Sequence, residues 1–206
     1  YAYTNAPASD VDTHFEKVSL LLRMDGTDGS TTFVDSSASS KAVTAIGGAK
    51  ISTAQSKWGG ASGYFDGTDD ALSVPHASDL NLSSGDFSIE LWLYLLGNLA
   101  GAYLIDKDGV ENTSYPSYGV TAGSGGVALH LGSGNGTYSL QSFVGSTPVS
   151  ANAWHHAAFC RSGSTVYGFL DGVQQFATAQ TAPMVDGGKK LNIGARYNGA
   201  SFPLNG

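Results

Sequence analysis

Apolar and polar residues alternate along the stretch FSIELWLYL, residues 87–95. Successive side chains of an extended chain point to opposite faces, so every second position from Phe87 to Leu95 falls on one apolar face. The other face carries Glu90, Trp92 and Tyr94. We therefore predict a strand whose apolar face lines a core. Its second face is either another packed layer or the wall of a groove.

Short segments with strand-like patterns recur along the rest of the chain and are separated by turn residues. They are residues 18–24, 31–34, 42–46, 49–52, 62–66, 71–74, 102–106, 118–122, 127–131, 138–143, 154–161, 165–170, 173–178 and 191–195. No segment has the period of a long helix. The pattern predicts an all-β fold of antiparallel strands arranged as a two-sheet sandwich.

Two Asp-Gly pairs, Asp66-Gly67 and Asp171-Gly172, each lie between predicted strands. Asp followed by Gly readily takes the positive φ angles that a tight hairpin turn requires. Both pairs are therefore predicted to form β-hairpins.

Residues 1–16 lack any hydrophobic period, which is typical of a leader or docking arm. We expect one sandwich domain over residues 17–206, a size common for a single β-sandwich. Glycine supplies 28 of the 206 residues, as many tight turns would require. Cys160 is the single cysteine, so an internal disulfide is impossible.

The charge balance disfavours two classes of partner. The chain has 10 Lys plus Arg against 17 Asp plus Glu, whereas nucleic acid and anionic membrane surfaces require clustered positive charge. The longest apolar stretch, residues 91–105, is interrupted by glycines and an asparagine and is too short for a membrane-spanning helix. We expect neither nucleic acid nor membrane as a partner.

Five blocks of the chain resemble, in order, the laminin G-like and pentraxin-like branch of the concanavalin A-like sandwich family. They are residues 20–37, 57–75, 85–95, 154–175 and 191–206, and the block beginning WHHAAFCR is the most characteristic. The resemblance implies a jelly-roll sandwich and a lectin-like role outside the cell. The blocks at 20–37 and 57–67 also resemble versions of this domain in bacteriophage structural proteins, which implies a decoration, tail or fibre protein on a virion surface.

Members of the family usually continue after the final Asn-Gly with one more strand near the opening one, whereas this chain stops at Asn205-Gly206. The expected consequence is an open edge at residues 18–24, whose unpaired backbone groups invite another chain. We expect the domain to be completed by further residues or by a neighbouring subunit. Virion or assembly subunits, or other copies of this chain in a homo-oligomer, are the expected partners.

Acidic loops suggest calcium, which binds several carboxylate and carbonyl oxygens. The resemblance points to Asp25 and Asp28 as one calcium site. It points to a second site in the loop that contains Asp106, Asp108 and Glu111. The alternative is that these residues form turns and carry solvated charge.

A sugar-binding surface is the second candidate, because saccharide rings stack on aromatic rings while their hydroxyls bond to carboxylates and amides. On the long strand this role falls to Glu90, Trp92 and Tyr94. In the polar segment that follows the acidic loop it falls to Asn112, Tyr115 and Tyr118, which we expect to be exposed. The alternative for Trp92 is a second packed layer of the core.

Catalysis is disfavoured, because glycoside hydrolysis needs a pair of carboxylates and FSIELWLYL offers only Glu90. His155 and His156 are adjacent on a predicted strand, so their side chains face opposite ways and cannot easily share one zinc ion. The sequence thus favours a noncatalytic lectin-like adhesion module that binds host-surface polysaccharide. The alternatives are a purely structural decoration or assembly domain and, more remotely, a polysaccharide-degrading enzyme.

Overall fold

The computed structural model describes residues 12–97, 101–107, 117–123, 126–133, 138–143, 147–196 and 203–206, with the backbone alone at 141–143. Two short 3-10 turns, Phe15–Lys17 and Ser78–Leu80, are its helical elements within these ranges. The strands are β1 (Thr44–Ile46), β2 (Lys50–Ser52), β3 (Ser62–Tyr64), β4 (Ala71–Val74), β5 (Phe87–Tyr94), β6 (Ala102–Lys107), β7 (Tyr118–Gly123), β8 (Gly126–Gly132), β9 (Tyr138–Phe143), β10 (Trp154–Ser162), β11 (Thr165–Leu170), β12 (Val173–Ala179) and β13 (Leu191–Ile193).

The strands form two main antiparallel sheets. The seven-stranded sheet has the order β1-β4-β13-β6-β7-β8-β9, and the four-stranded sheet has the order β12-β11-β10-β5. Strands β2 and β3 form a separate two-stranded ribbon. The predicted all-β, antiparallel fold is confirmed, and the arrangement is that of a concanavalin A-like jelly-roll sandwich.

The core lies between the two main sheets. Val120 and Leu129 on the seven-stranded sheet and Phe159 and Val166 on the four-stranded sheet are fully buried in it. Strand β5 shows the predicted alternation, because its odd-numbered residues pack on the core and Ser88, Glu90 and Trp92 are exposed. This alternation determines which side chains of β5 reach the outer surface.

The apolar segments 18–24 and 31–34 are not strands, so that prediction is wrong. A single antiparallel bridge, Leu22 to Asp35, joins them. The buried Asp35 carboxylate instead accepts bonds from the backbone N–H groups of Leu21 at 3.0 Å, Ser37 at 2.9 Å and Lys41 at 2.8 Å. Within residues 18–24 this side chain therefore satisfies one donor, the Leu21 N–H, that a neighbouring strand would otherwise pair.

Strand β5 is one edge of the four-stranded sheet, whereas residues 18–24, at which an open edge is predicted, belong to none of the named strands. Within the described ranges, β5 ends the four-stranded sheet and pairs only with β10. Its inward side chains Phe87, Ile89 and Leu91 are only partly buried. Beyond the end of β5, the Leu96 N–H donates to the carbonyl of Asn205 at 3.0 Å.

One of the two predicted hairpins is confirmed. Asp171 and Gly172 connect β11 to β12 with φ angles of 51° and 79°, as a tight two-residue turn requires. The prediction for Asp66-Gly67 is wrong, because β3 pairs with β2 whereas β4 pairs with β1 and β13. That connection passes between sheets.

The predicted leader is described only in part, since residues 1–11 lie outside the described ranges. Residues 12–16 are exposed, and the first 3-10 turn begins at Phe15. The domain boundary after residue 16 stays a prediction. Among the described residues, no helix has the length and apolar character needed to span a membrane.

Candidate functional site

The outer face of the four-stranded sheet brings together three of the predicted ligand-binding residues. Glu90, Trp92 and Tyr94 share the side of β5 that points away from the core, and the Trp92 residue is 41% exposed. Exposure on this scale rules out a second packed layer of the core over Trp92. The alternative, that this face forms the wall of a groove, stays a prediction.

Strand β10 supplies the neighbours of these side chains. In the register of the pair, His156 lies opposite Trp92 and Trp154 lies opposite Tyr94. The His156 and Trp92 ring centroids are 4.9 Å apart, and those of Trp154 and Tyr94 are 5.5 Å apart. His156 Nε2 also lies 3.6 Å from Glu90 Oε2, which places a polar pair beside the Trp92 ring.

A second exposed indole comes from the connection between β2 and β3. Trp58 is 59% exposed, and its ring meets the Trp92 ring at an interplanar angle of 82° with 6.2 Å between centroids. The Lys57 ammonium lies over both rings, 4.2 Å from the Trp92 centroid and 5.3 Å from the Trp58 centroid. We call Lys57, Trp58, Glu90, Trp92 and His156 the tryptophan surface.

Sequence reasoning missed Lys57 and Trp58 as site residues. The available signal was an aromatic residue between polar and glycine residues in SKWGG, which is unusual for a turn-rich connection. What the pattern could not supply was the position of this connection over β5. That position depends on contacts between segments distant in the sequence.

The other predicted ligand-binding residues do not join this surface. Asn112 and Tyr115 lie outside the described residues. Tyr118, expected in an exposed loop, begins β7 and is only 5% exposed, so that expectation is wrong. Its hydroxyl donates to the Leu80 carbonyl at 3.0 Å, and its pairing with Lys107 and Leu131 holds it in the core.

The residues predicted to bind calcium belong to two predicted sites, and the structure describes three of the five. Asp25 and Asp28 are exposed, and the Asp28 carboxylate accepts a bond from the Thr53 N–H at 2.9 Å. Asp106 lies within β6, is fully buried, and pairs with Arg196 at 3.4 Å. Asp108 and Glu111 lie outside the described residues. Calcium binding therefore stays a prediction.

A different acidic group lies between β3 and β4. Asp66, Asp69 and Asp70 place carboxylate oxygens within 4.8 Å of one another. The buried Asp70 carboxylate already accepts bonds from the backbone N–H groups of Gly48 and Asp66. These bonds give Asp70 a structural role in tying two turns together.

The seven-stranded sheet carries a polar row on the side opposite the sandwich core. Asn192, Asp106, Gly119 and His130 are successive partners in register across β13, β6, β7 and β8. Asn192 and Asp106 have no exposed surface, and His130 is 5% exposed. Burial, aided by the positive charge of Arg196, lowers the pKa of His130 to about 4.

A chain of hydrogen bonds links Ser150, His155 and Asp171 at one end of the four-stranded sheet. Ser150 Oγ lies 2.8 Å from His155 Nε2, and His155 Nδ1 lies 2.8 Å from an Asp171 carboxylate oxygen. Burial alone would raise the pKa of Asp171, but the bonds from the His156 N–H and the His155 ring outweigh it and lower that pKa. The order of groups is that of a catalytic triad. The carboxylate, however, is 48% exposed at a hairpin tip.

Each of the hydrogen bonds among Ser150, His155 and Asp171 also has a structural explanation. Asp171 bridges the β11–β12 hairpin to the backbone of β10, and His155 connects the hairpin to the segment before β10. Water competes for the exposed carboxylate, unlike the buried aspartate of a serine protease. We interpret these three residues as a brace that holds the end of the sheet.

Two antiparallel sheets packed around one core define a β-sandwich. The profile of the Laminin_G_3 family, described as the concanavalin A-like lectin/glucanases superfamily, matches residues 66–206, more than half of the chain. The chain belongs to this superfamily. Among curated proteins, no sequence match was found.

Solved structures with the same fold have low sequence identity to the chain. Domain 4 of AbnA, an extracellular arabinanase of Geobacillus stearothermophilus in complex with arabinotriose, aligns with a TM-score of 0.62 and 18% identity over 87% of this chain and 82% of that one. A structure of botulinum neurotoxin type C aligns with a TM-score of 0.61 and 14% identity over 92% of this chain and 44% of that one. The chain thus spans less than half of the toxin chain, and these likenesses show the fold.

Proposed function

We propose that the protein is a noncatalytic lectin-like adhesion module that binds polysaccharide on the tryptophan surface. The observation that carries the proposal is the pair of exposed, perpendicular indoles of Trp58 and Trp92 on the outer face of the sandwich. Large aromatic residues kept in water are costly unless a ligand covers them, so their juxtaposition favours a binding role.

The chemistry of this surface suits a saccharide. The C–H face of a sugar ring can stack on the exposed Trp58 indole, whose ring meets that of Trp92 at 82°. Glu90 and His156 beside Trp92 offer a carboxylate and an imidazole for hydroxyl groups. Such mixing of aromatic and polar groups is typical of sites that orient a ligand rather than merely repel water.

Two structures that share the fold have glycan ligands in their descriptions. The arabinanase domain was solved with arabinotriose. Cell entry of the type C toxin depends upon interaction with two ganglioside molecules. These examples support a saccharide as the class of ligand. The proposed position of the site rests on the residues of this protein alone.

The experiment is affinity electrophoresis and calorimetry against a panel of charged and neutral polysaccharides. Trp58→Ala and Trp92→Ala should each weaken binding by up to about tenfold, the upper part of the range for losing an aromatic stacking contact. Trp58→Phe should retain most of the affinity, since it keeps an aromatic ring. Val173→Ala is the matched control, because Val173 is 63% exposed on β12 of the same sheet.

Unchanged polysaccharide binding by both alanine variants would show that the tryptophan surface is not the binding site. Each variant must retain the wild-type thermal midpoint, which the exposure of both side chains leads us to expect. This control separates loss of the ligand contact from loss of the fold.

The noncatalytic part of the proposal has its own test. Glu90 is the one carboxylate among the described residues that form the tryptophan surface, whereas glycoside hydrolysis needs a pair. The Ser150–His155–Asp171 brace is the described arrangement most like a hydrolase. We expect no ester hydrolysis above that of a Ser150→Ala variant, and a rate that this substitution abolishes would show the protein to be an enzyme.

We further propose that the module is displayed on a virion or another extracellular assembly. Among the described residues one edge of β5 is unpaired, and its residues Phe87, Ile89 and Leu91 are only partly buried, which favours contact with a neighbouring subunit or another copy. The same edge supports the second candidate function, a structural decoration domain without a sugar ligand. Light scattering of the purified chain and cross-linking within its native particle test both proposals.

A further inference from the structure

The Lys57 ammonium lies in the corner between the two exposed indoles. We infer that the saccharide bound by the tryptophan surface carries an anionic group, a carboxylate or a sulfate, which pairs with Lys57. This inference rests on the proposed function and deepens it by naming the class of ligand.

Lys57 differs from two other lysines in how its charge is balanced. Lys41 pairs with Asp79 at 2.6 Å, and Lys107 pairs with Asp186 at 3.4 Å. Within the described part of the chain, Lys57 forms no ion pair. Its recorded partners are the faces of Trp58 and Trp92.

The acid of the tryptophan surface does not neutralise Lys57 in this arrangement. Glu90 instead lies 3.6 Å from the His156 ring, and it forms no ion pair with Lys57. The indoles attract the ammonium through their negative ring faces but carry no net charge. A positive charge is therefore available to a ligand at the point where two aromatic walls meet.

An anionic sugar supplies both features that this corner can use. Its ring can stack on the Trp58 indole, which is 59% exposed, while its anionic group pairs with the Lys57 ammonium. A neutral sugar would use only the stacking. Because the whole chain carries a net charge of −7, general attraction of polyanions is disfavoured, and selectivity for an anion must come from a local group.

The test compares ligands that differ only in charge. Oligogalacturonate carries one carboxylate per ring, and its fully methyl-esterified form keeps the rings while removing the charge. Dextran sulfate and dextran form the second pair and distinguish a sulfate from a carboxylate. We expect at least one anionic member to bind the full chain about tenfold more tightly than its neutral counterpart, the factor given by one charge-assisted hydrogen bond.

The variants assign that difference to one residue. Lys57→Met keeps the aliphatic stem and should reduce the affinity for the anionic ligand to that for the neutral one, with little change for the neutral ligand. Lys57→Arg should retain the preference. Lys17→Met is the matched control, because Lys17 is an exposed lysine at the end of the first 3-10 turn and outside the tryptophan surface.

Two results would overturn the inference while leaving the proposed function intact. The first is equal affinity for charged and neutral ligands when both bind in a Trp58-dependent manner. The second is a Lys57→Met substitution that lowers the affinity for both ligands by the same factor. Failure of every saccharide to bind in a Trp58-dependent manner would instead refute the proposed function, and the inference with it. Binding of a protein to this surface in place of a saccharide would have the same consequence.

Discussion

Replacing His130 by Gln should remove a large part of the protein's sensitivity to mild acid. His130 is 5% exposed, and its Nε2 atom lies 2.9 Å from the Thr121 hydroxyl. Burial and the charge of Arg196 lower its pKa from 6.5 to about 4. In the unfolded chain this histidine takes up a proton near pH 6.5, whereas in the native state it stays neutral until about pH 4.

The sign and size of the effect follow from this difference. Proton uptake by the unfolded state alone favours unfolding, so the free energy of unfolding should fall as the pH drops through this interval. The full difference between the two pKa values corresponds to roughly 3 kcal/mol. Asp35, Asp171 and Asp186 have pKa values lowered below 3.8, so their stabilisation is lost only at more acidic pH.

The assay is urea denaturation at about pH 7 and at about pH 4.5. Between these pH values the protonation of His130 should lower the wild-type free energy of unfolding by roughly 2–3 kcal/mol. His130→Gln should lose correspondingly less over the same interval, whatever its stability at neutral pH. His14→Gln is the control, because His14 is exposed near the N-terminal end of the described chain. Equal losses in the wild type and His130→Gln would show that the buried imidazole is not held neutral.

Two further predictions concern carboxylates. Asp35→Asn should lower the free energy of unfolding by roughly 2–4 kcal/mol, because the buried carboxylate accepts three backbone N–H bonds. Urea denaturation measures this change, and Asp28→Asn is the control because the Asp28 carboxylate accepts a single exposed bond. A smaller loss of stability in Asp35→Asn than in the control would contradict the role assigned to Asp35. Calcium at millimolar concentration should raise the thermal midpoint if the carboxylates of Asp25 and Asp28 bind it, since a ligand held by the native state alone stabilises that state. Asp25→Asn should abolish the rise, and an unchanged wild-type midpoint would end the calcium prediction.

Much of the fold was predictable because burial on one side of a strand leaves a period of two in the sequence. The β5 alternation led directly to the outer position of Glu90, Trp92 and Tyr94. The Asp171-Gly172 hairpin was predictable for a similarly local reason, the positive φ angles that such a turn requires.

The errors arose where local pattern and tertiary context disagree. Residues 18–24 are as apolar as a buried strand, but they form only the single bridge of Leu22 to Asp35, and the Asp35 carboxylate accepts the Leu21 N–H. Tyr118 follows a polar, proline-containing stretch, yet pairing within the seven-stranded sheet buries it.

The candidate site was only half predictable. Trp92 and Glu90 lie within one strand, so their common face follows from spacing. Lys57 and Trp58 reach them through the placement of a separate two-stranded ribbon, which no local period encodes. The buried row of Asn192, Asp106 and His130 likewise depends on the register of strands far apart in the chain.

The claim that saccharide binds on the tryptophan surface can be tested most directly by NMR of the three tryptophan indole N–H groups. The account predicts that adding oligogalacturonate or dextran sulfate shifts the Trp58 and Trp92 resonances more than that of Trp154. A shift absent from both Trp58 and Trp92 while the ligand is bound would contradict it.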